Sequence, residues 1–503
     1  MAAGVLFLEI FELSRLNLQT FLVFSLAFLL AYRYLRCTGI FPPYPAGRVP
    51  VLGHLLALGR APHLKLTEWR RQYGDVFTVR MGMEDVVVLN GYPAVKDALV
   101  DRSELFASRG QNYLFDVITG FGTGISSAQW GKSLRQKRKF ASTVLRTLGV
   151  KEDMGSIEEK IREETGCLCV KVAEYEGVPF DPESDLQVAI ANVICSTVFG
   201  NRFEYGDERF KELAEAVLIT VERLGAGQII NVFPFLRFVP GVNRSLRDVI
   251  KGTATIHKFV LEEISRHRLN LDRENPRDFL DFCLVELEKR EKVEDFTEEQ
   301  VMYIVYELFI AGLDTTTNTM RWCLLYMVLY PYVQKKVQAE LDAAVGGALP
   351  ALSHRALLPY TQATLMEVQR IRPVGPLGLP HATTQDVTVG QFELPMGAKI
   401  LTNLHSLHMD PAYWPDPDRF DPERFLDAEG NVINKPKSFL PFGGGRRGCL
   451  GEQLAKMQLF LLFSSLLQNF TFKLPEGAPT PSDEGIMRIT LTPHSYKLCA
   501  IPR

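Results

Sequence analysis

The chain has 503 residues, of which 46% are hydrophobic, a formal net charge of −3 and a pI near 6.4. That apolar content is enough for a large core, and the slight acidity argues against nucleic acid as a partner. Its eight cysteines are scattered, with no C-x-x-C pair and no Cys/His zinc spacing, which argues against a zinc site or a disulfide framework and suits a reducing compartment.

Near the N-terminus no charged residue falls between Arg15 and Arg33. At 1.5 Å per residue the segment 16–32 spans roughly 26 Å, close to the thickness of a thin bilayer. The expected organisation is a short luminal stretch at 1–15, a transmembrane signal anchor at 16–36, a proline-rich hinge at 37–54 and one catalytic domain at 55–503. A cleaved signal peptide is the alternative for the apolar segment, but no small-residue cleavage site follows it. Arg33, Arg36 and Arg48 put the following side in the cytosol, although Arg15 weakens the bias. Pro42-Pro43-Tyr44-Pro45 cannot be helical.

Further on, Val76-Phe77-Thr78-Val79 and Val86-Val87-Val88-Leu89 read as strands around Gly82. From Gln111 to about Glu340 helical patterns dominate, with turns at Gly177-Val178-Pro179, Asn201, Gly206 and Pro240-Gly241. Thr297-Glu298-Glu299-Gln300 matches a capping box, and the apolar pattern after it stops at Pro331. That predicts a helix of roughly 30 residues, against an average of about 11–12. Short strands are expected again at 470–474 and 487–491. The fold class is mostly α with a minor β part.

Phe442-Gly443-Gly444-Gly445-Arg446-Arg447-Gly448-Cys449-Leu450-Gly451 reads F-x-x-G-x-R-x-C-x-G. Its glycines allow a tight turn under a flat ligand and bring backbone N–H groups close to one sulfur. The run 452–469 reads as a long apolar helix, so Cys449 lies at a helix N-terminus, where the dipole favours thiolate. A thiolate so held is a strong axial ligand for haem iron and promotes O–O cleavage. The plainer alternative, a structural cysteine in a glycine turn, does not require five fixed places. Inside the long helix lies Ala311-Gly312-Leu313-Asp314-Thr315-Thr316. Gly312 costs about 1 kcal/mol relative to alanine there, and space for dioxygen would explain it. A hydroxyl beside an acid can relay protons, whereas the alternative is an ordinary threonine-rich kink.

With these motifs the chain resembles the cytochrome P450 superfamily over nearly its whole length. The resemblance implies the cytochrome P450 fold, with a long central helix over haem b and small β-sheets. Cys449 would be the axial thiolate and the metal ligand. Thr315 and Asp314 would be the catalytic pair, Thr315 serving oxygen activation and Asp314 proton supply. Arg109, Arg138, His381 and Arg447 would bind the haem propionates. Family members usually carry tryptophan four residues before the equivalent of Arg138; here Leu134 takes that place, with Trp130 one turn earlier. Glu367-Val368-Gln369-Arg370 matches E-x-x-R and would pair with Arg424 of Pro422-Glu423-Arg424-Phe425 in a structural network.

Lys132, Arg135 and Lys139 fall on one helical stripe. Such a stripe is commonly only a solvated face, or it could steer an acidic reductase. The implied partners are NADPH–cytochrome P450 reductase, with cytochrome b5 as a further one, together with O2 and a lipophilic substrate. The implied location is the endoplasmic reticulum membrane with the catalytic domain facing the cytosol. Segments 192–200, 271–279, 315–326 and 451–457 resemble microsomal family 2, subfamily U. That subfamily hydroxylates long-chain fatty acids near the ω end. A steroid or xenobiotic hydroxylase is the alternative, and a non-catalytic haem sensor or carrier is the reading from another class. Phe233, Phe235 and Phe238 around Pro234 read either as an apolar lid or as core.

Overall fold

The computed structural model describes residues 19–28, 41–150, 156–226, 228–289, 296–433 and 436–503. The expected anchor at 16–36 lies largely outside these residues. The part within them, 19–28, is helical, and among the described residues no helix is long and apolar enough to cross a membrane. Pro42 and Pro45 are non-helical, as their rings require, and buried. Their segment docks on the first sheet: Pro43 O accepts from Thr78 N at 2.8 Å and Arg80 O from His54 N at 2.7 Å.

That sheet contains β1 (Val76–Met81), β2 (Glu84–Leu89), β3 (His381–Ala382) and β4 (Lys399–Thr402), in the order β1-β2-β4-β3. The β1–β2 hairpin pairs Thr78 with Val87, and β2 runs parallel to β4 with Val87 opposite Ile400. Val86, Val87, Val88 and Leu89 are all buried, so this run fills the sheet's two faces rather than alternating.

The remainder is mainly helical. The helices that position the site are α1 (Lys132–Val150), α2 (Glu183–Phe199), α3 (Glu208–Ala226), α4 (Arg244–Leu269), α5 (Glu298–Leu329), α6 (Pro359–Ile371) and α7 (Glu452–Asn469). Helix α5 is the expected long one, at 32 residues. Its capping box is formed by Gln300 N to Thr297 Oγ1 at 3.3 Å and Thr297 N to Gln300 Oε1 at 3.1 Å. It ends before Pro331, which opens the next helix. Residues 316–328 of α5 are buried on every side, which makes it the axis of the largest core cluster. It packs against α2, α4, α6 and α7.

Two strand expectations change. Phe470–Lys473 is a strand and pairs with Cys499–Pro502. The single strand expected at 487–491 is instead the two arms of a hairpin, β5 (Gly485–Met487) and β6 (Leu491–Pro493). Arg488 N donates to Thr490 O at 3.0 Å and closes the turn between them.

Candidate active site

The cysteine loop begins with Cys449 N donating to Phe442 O at 3.0 Å and Gly448 N donating to Gly445 O at 3.2 Å. Gly445 cannot be another residue without cost. Its φ is +63°, and a Cβ there would lie 1.6 Å from the carbonyl oxygen of Leu99. The loop is thus pressed onto the turn at Asp97–Asp101.

Cys449 lies just before α7, whose N-cap is Gly451. At that terminus the Gly451 N–H acts on the thiol in the expected direction, toward thiolate. Burial is the largest influence and pushes the Cys449 thiol up, while the Gly451 N–H and the charges of Arg138 and Lys456 pull it back down. The residue has exposed surface of its own. A metal ion at the sulfur would supply what the loop alone does not, since coordination deprotonates a thiol.

Four expected cofactor residues gather near this loop. Arg447 donates from Nε to Ala107 O at 2.6 Å, from Nη1 to Ile125 O at 2.9 Å and from Nη2 to Ala128 O. Arg109 donates from Nε to Ser126 O at 3.0 Å and from Nη1 to Leu379 O at 3.0 Å. Arg138 Nη2 reaches Gly448 O in the cysteine loop at 2.5 Å. His381 Nδ1 lies 2.8 Å from Phe106 O.

Their electrostatics show that they share one site. Burial, then the charge of Arg138, brings Arg447 down to about 9. Burial, then Arg447 and Arg138, pushes Arg109 well below its ordinary value. Burial, then Arg109, holds His381 well below the usual imidazole range. Among the described residues none of the three arginines has a carboxylate within ion-pair distance. Arg109, Arg138 and Arg447 are partly buried, and partly buried cations without a counter-charge are costly, so the cluster suits an anionic group. A flat group with two carboxylates and a metal beside Cys449 fits that demand, and haem is such a group.

Helix α1 sorts its residues by face. Leu134, which stands where family members carry tryptophan, is in the core, while Lys132, Arg135 and Lys139 are exposed. The Arg135 guanidinium sits 5.7 Å from the Trp130 ring centroid. Lys137 points inward and donates to Thr123 O at 2.8 Å and Gly124 O at 3.0 Å.

On α5, Ala311 is exposed in an otherwise packed helix, so the wall it forms faces open space. A Cβ at Gly312 would lie 2.9 Å from Cδ1 of Ile194 on α2, the movable end of that side chain. Thr315 Oγ1 donates to Ala311 O at 2.6 Å, one turn back. Asp314 does not pair with Thr315. Its Oδ1 accepts from Asn318 Nδ2 at 3.0 Å and its Oδ2 from Thr490 Oγ1 at 2.8 Å.

The E-x-x-R network is present. Arg370 Nε and Nη2 donate to Glu367 at 2.6 and 2.8 Å, and both side chains are 0% exposed. Arg424 Nε donates to the same carboxylate at 3.0 Å, and Asp421 N at 2.9 Å. Arg370 Nη1 also holds His408 O at 2.8 Å. The three residues thus tie α6 to the segment that precedes the cysteine loop.

One residue of the site's surroundings escapes the sequence reading, Glu307. Glu307 takes backbone N–H bonds from Ile125 at 2.7 Å and Ser126 at 3.1 Å. Its charge favours the protonated forms of Lys137 and Arg447. One signal was available: Glu307 is a lone charge in the apolar stretch Ile304–Leu313 ahead of Asp314. Phe233 is buried, whereas Phe235 and Phe238 are exposed, so the lid-or-core alternative divides within a single turn.

Comparison with known proteins agrees with this geometry. The family model described as Cytochrome P450 matches residues 42–500. Cytochrome P450 2D4 of Rattus norvegicus is 39% identical over 96% of this chain and 97% of its own. Vitamin D(3) 25-hydroxylase of Sus scrofa is 40% identical over 92% of this chain and 93% of its own. Cytochrome P450 2U1 of Homo sapiens is 40% identical over 87% of this chain and 80% of its own. The chain therefore belongs to the cytochrome P450 family and is a monooxygenase whose cofactor is haem with a cysteine thiolate as axial ligand.

Proposed function

We propose that Cys449 supplies the thiolate and that the protein hydroxylates an apolar C–H bond of a lipophilic substrate, with electrons from NADPH through a reductase. The observation that carries this reading is the group of three guanidiniums, Arg109, Arg138 and Arg447, with no carboxylate partner among the described residues and with Arg138 bonded to the cysteine loop. Haem, when bound, supplies dioxygen activation and oxygen insertion, and thiolate donation favours O–O cleavage. Arg109, Arg138, Arg447 and His381 hold its carboxylates. Their present backbone acceptors keep the guanidiniums oriented for that task. Thr315 holds a movable proton on Oγ1 and Asp314 can carry one on its carboxylate, so α5 brings two proton-handling groups to consecutive positions.

Lys132, Arg135 and Lys139 form the exposed basic stripe that draws in the acidic reductase, with cytochrome b5 a further partner. The uncharged segment 16–32 of the sequence and the exposed Phe235, Phe238 and Val239 support attachment to the endoplasmic reticulum membrane, with the catalytic domain on its cytosolic face.

The substrate class we propose is long-chain fatty acids, hydroxylated at or near the ω end. It rests on the segments resembling subfamily U and on the similarity to Cytochrome P450 2U1. A second reading, a steroid-like substrate, is favoured by the equal identity to vitamin D(3) 25-hydroxylase. Turnover of both classes with reductase and NADPH separates them, and fatty-acid products with no steroid products are expected. The ligand assignment is tested by Cys449→His, which should lose the thiolate-type absorption of the reduced carbon-monoxide form. An unchanged band in that variant sinks it.

A further inference from the structure

Asp314 is held from two directions. Asn318 lies one turn on in its own helix, while Thr490 comes from 176 residues away. Thr490 occupies the turn of the β5–β6 hairpin and is buried. The hairpin is seated without help from this bond. Trp322 Nε1 donates to Leu491 O at 2.9 Å, and Leu491 N donates to Val374 O at 2.8 Å. Gly485 is needed to close it, since a Cβ there would lie 2.5 Å from Leu491 Cδ1. The Thr490 hydroxyl is therefore presented to α5 by a part of the fold that has its own anchors.

We infer that Thr490 is a positioning residue for proton supply: its hydroxyl, bonded to Asp314 Oδ2, fixes the orientation of that carboxylate. The inference rests on the reading of Asp314 as the proton-supplying group.

The charged and polar groups facing Asp314 come from three elements. Arg488, in the same hairpin turn, favours the carboxylate, and Glu183 of α2 opposes it. On α5, Asn318 donates to Asp314 and in turn accepts from Arg321 Nη1 at 3.2 Å. Arg321 Nη2 meets Glu183 at 3.0 Å, which turns part of the opposing charge aside. Burial is the largest influence and raises Asp314 above its ordinary value, and the Thr490 hydrogen bond is the largest influence in the other direction. A group so balanced responds to the loss of one donor. Without the hydroxyl its pKa rises further, Asp314 becomes a weaker acid, and proton delivery slows.

The test is product formed per NADPH consumed, measured against pH in the reconstituted, haem-loaded, full-length enzyme with its reductase. Asp314→Asn identifies which inflection of the profile belongs to Asp314. Thr490→Val, nearly the same shape without a hydroxyl, should move that inflection up by about one pH unit, the scale expected for losing a hydrogen bond to a charged group. Thr490→Ser should restore the wild-type position. Should the valine variant load haem poorly, Thr490→Ala against Thr490→Ser makes the same comparison. If Asp314→Asn removes the inflection but neither Thr490→Val nor Thr490→Ala moves it, the inference is overturned and the reading of Asp314 stands. If Asp314→Asn leaves the profile unchanged, that reading falls and the inference with it.

Discussion

Ser126 Oγ donates to Glu307 Oε1 across 2.8 Å, and so fastens a loop to the long helix 181 residues further along the chain. The same loop carries the backbone acceptors of two arginines, since Ser126 O accepts from Arg109 and Ile125 O from Arg447. Burial pushes the Glu307 carboxyl up, and the hydrogen bonds from Ile125 and Ser126 only partly offset this.

A carboxyl whose pKa is higher folded than unfolded contributes stability at low pH and loses it as pH rises through the folded value. Glu307→Gln removes that loss and keeps an acceptor for the backbone N–H groups. Its stability should match wild type in acid and equal or exceed it at neutral pH. Glu307→Ala leaves the two N–H groups without acceptors and should cost about 1–3 kcal/mol. Urea denaturation of the three proteins at several pH values checks both signs.

Glu367 is the hub of a pair with no exposed surface. Glu367→Ala leaves the Arg370 cation buried and also releases Arg424 and Asp421 N. The expected loss is about 3–5 kcal/mol, enough to prevent accumulation of folded, haem-loaded protein. Soluble yield and haem content per polypeptide are the measurements. Near-normal haem content in this variant would show that the cysteine loop does not depend on the network.

Gly445→Ala asks for a Cβ where the Leu99 carbonyl already sits, at a φ that also disfavours it. A loss of about 3 kcal/mol or more is expected, together with failure to retain haem. Gly448→Ala is the control in the same loop, since its Cβ would meet nothing nearer than 3.4 Å. Thermal unfolding and haem retention of the two variants should diverge.

Thr315→Ala removes a hydroxyl bonded only to Ala311 O, a carbonyl of its own helix, at a position where alanine is favourable. Folding and haem binding should persist. If Thr315 handles protons, product per NADPH should fall, by roughly 10²–10⁴-fold if the group is essential, while hydrogen peroxide per NADPH rises. An unchanged product-to-NADPH ratio would reduce Thr315 to helix packing.

Much of this molecule was legible in the chain itself, because the signals were local. The capping box at Thr297 and the stop at Pro331 bound α5, and an apolar run bounds α7, through backbone rules that act within a few residues. The cysteine loop announces itself because its glycines and Cys449 lie within ten positions. Glu367 with Arg370 is a pair one turn apart, and the structure has them bonded. Tertiary structure decided whatever depended on a distant partner. Asp314 stands next to Thr315 in sequence, yet successive residues of a helix point about 100° apart, so its carboxylate reaches Thr490 instead. Ile194 of α2 arrives beside Gly312 from far back in the chain, and Glu307 matters because a distant loop brings its N–H groups there. Arg109, Arg138, His381 and Arg447 come from four separate segments, and only packing brings the three guanidiniums and the imidazole together. Local rules set each helix, but burial and charge act through space, and the chain must fold before they can act.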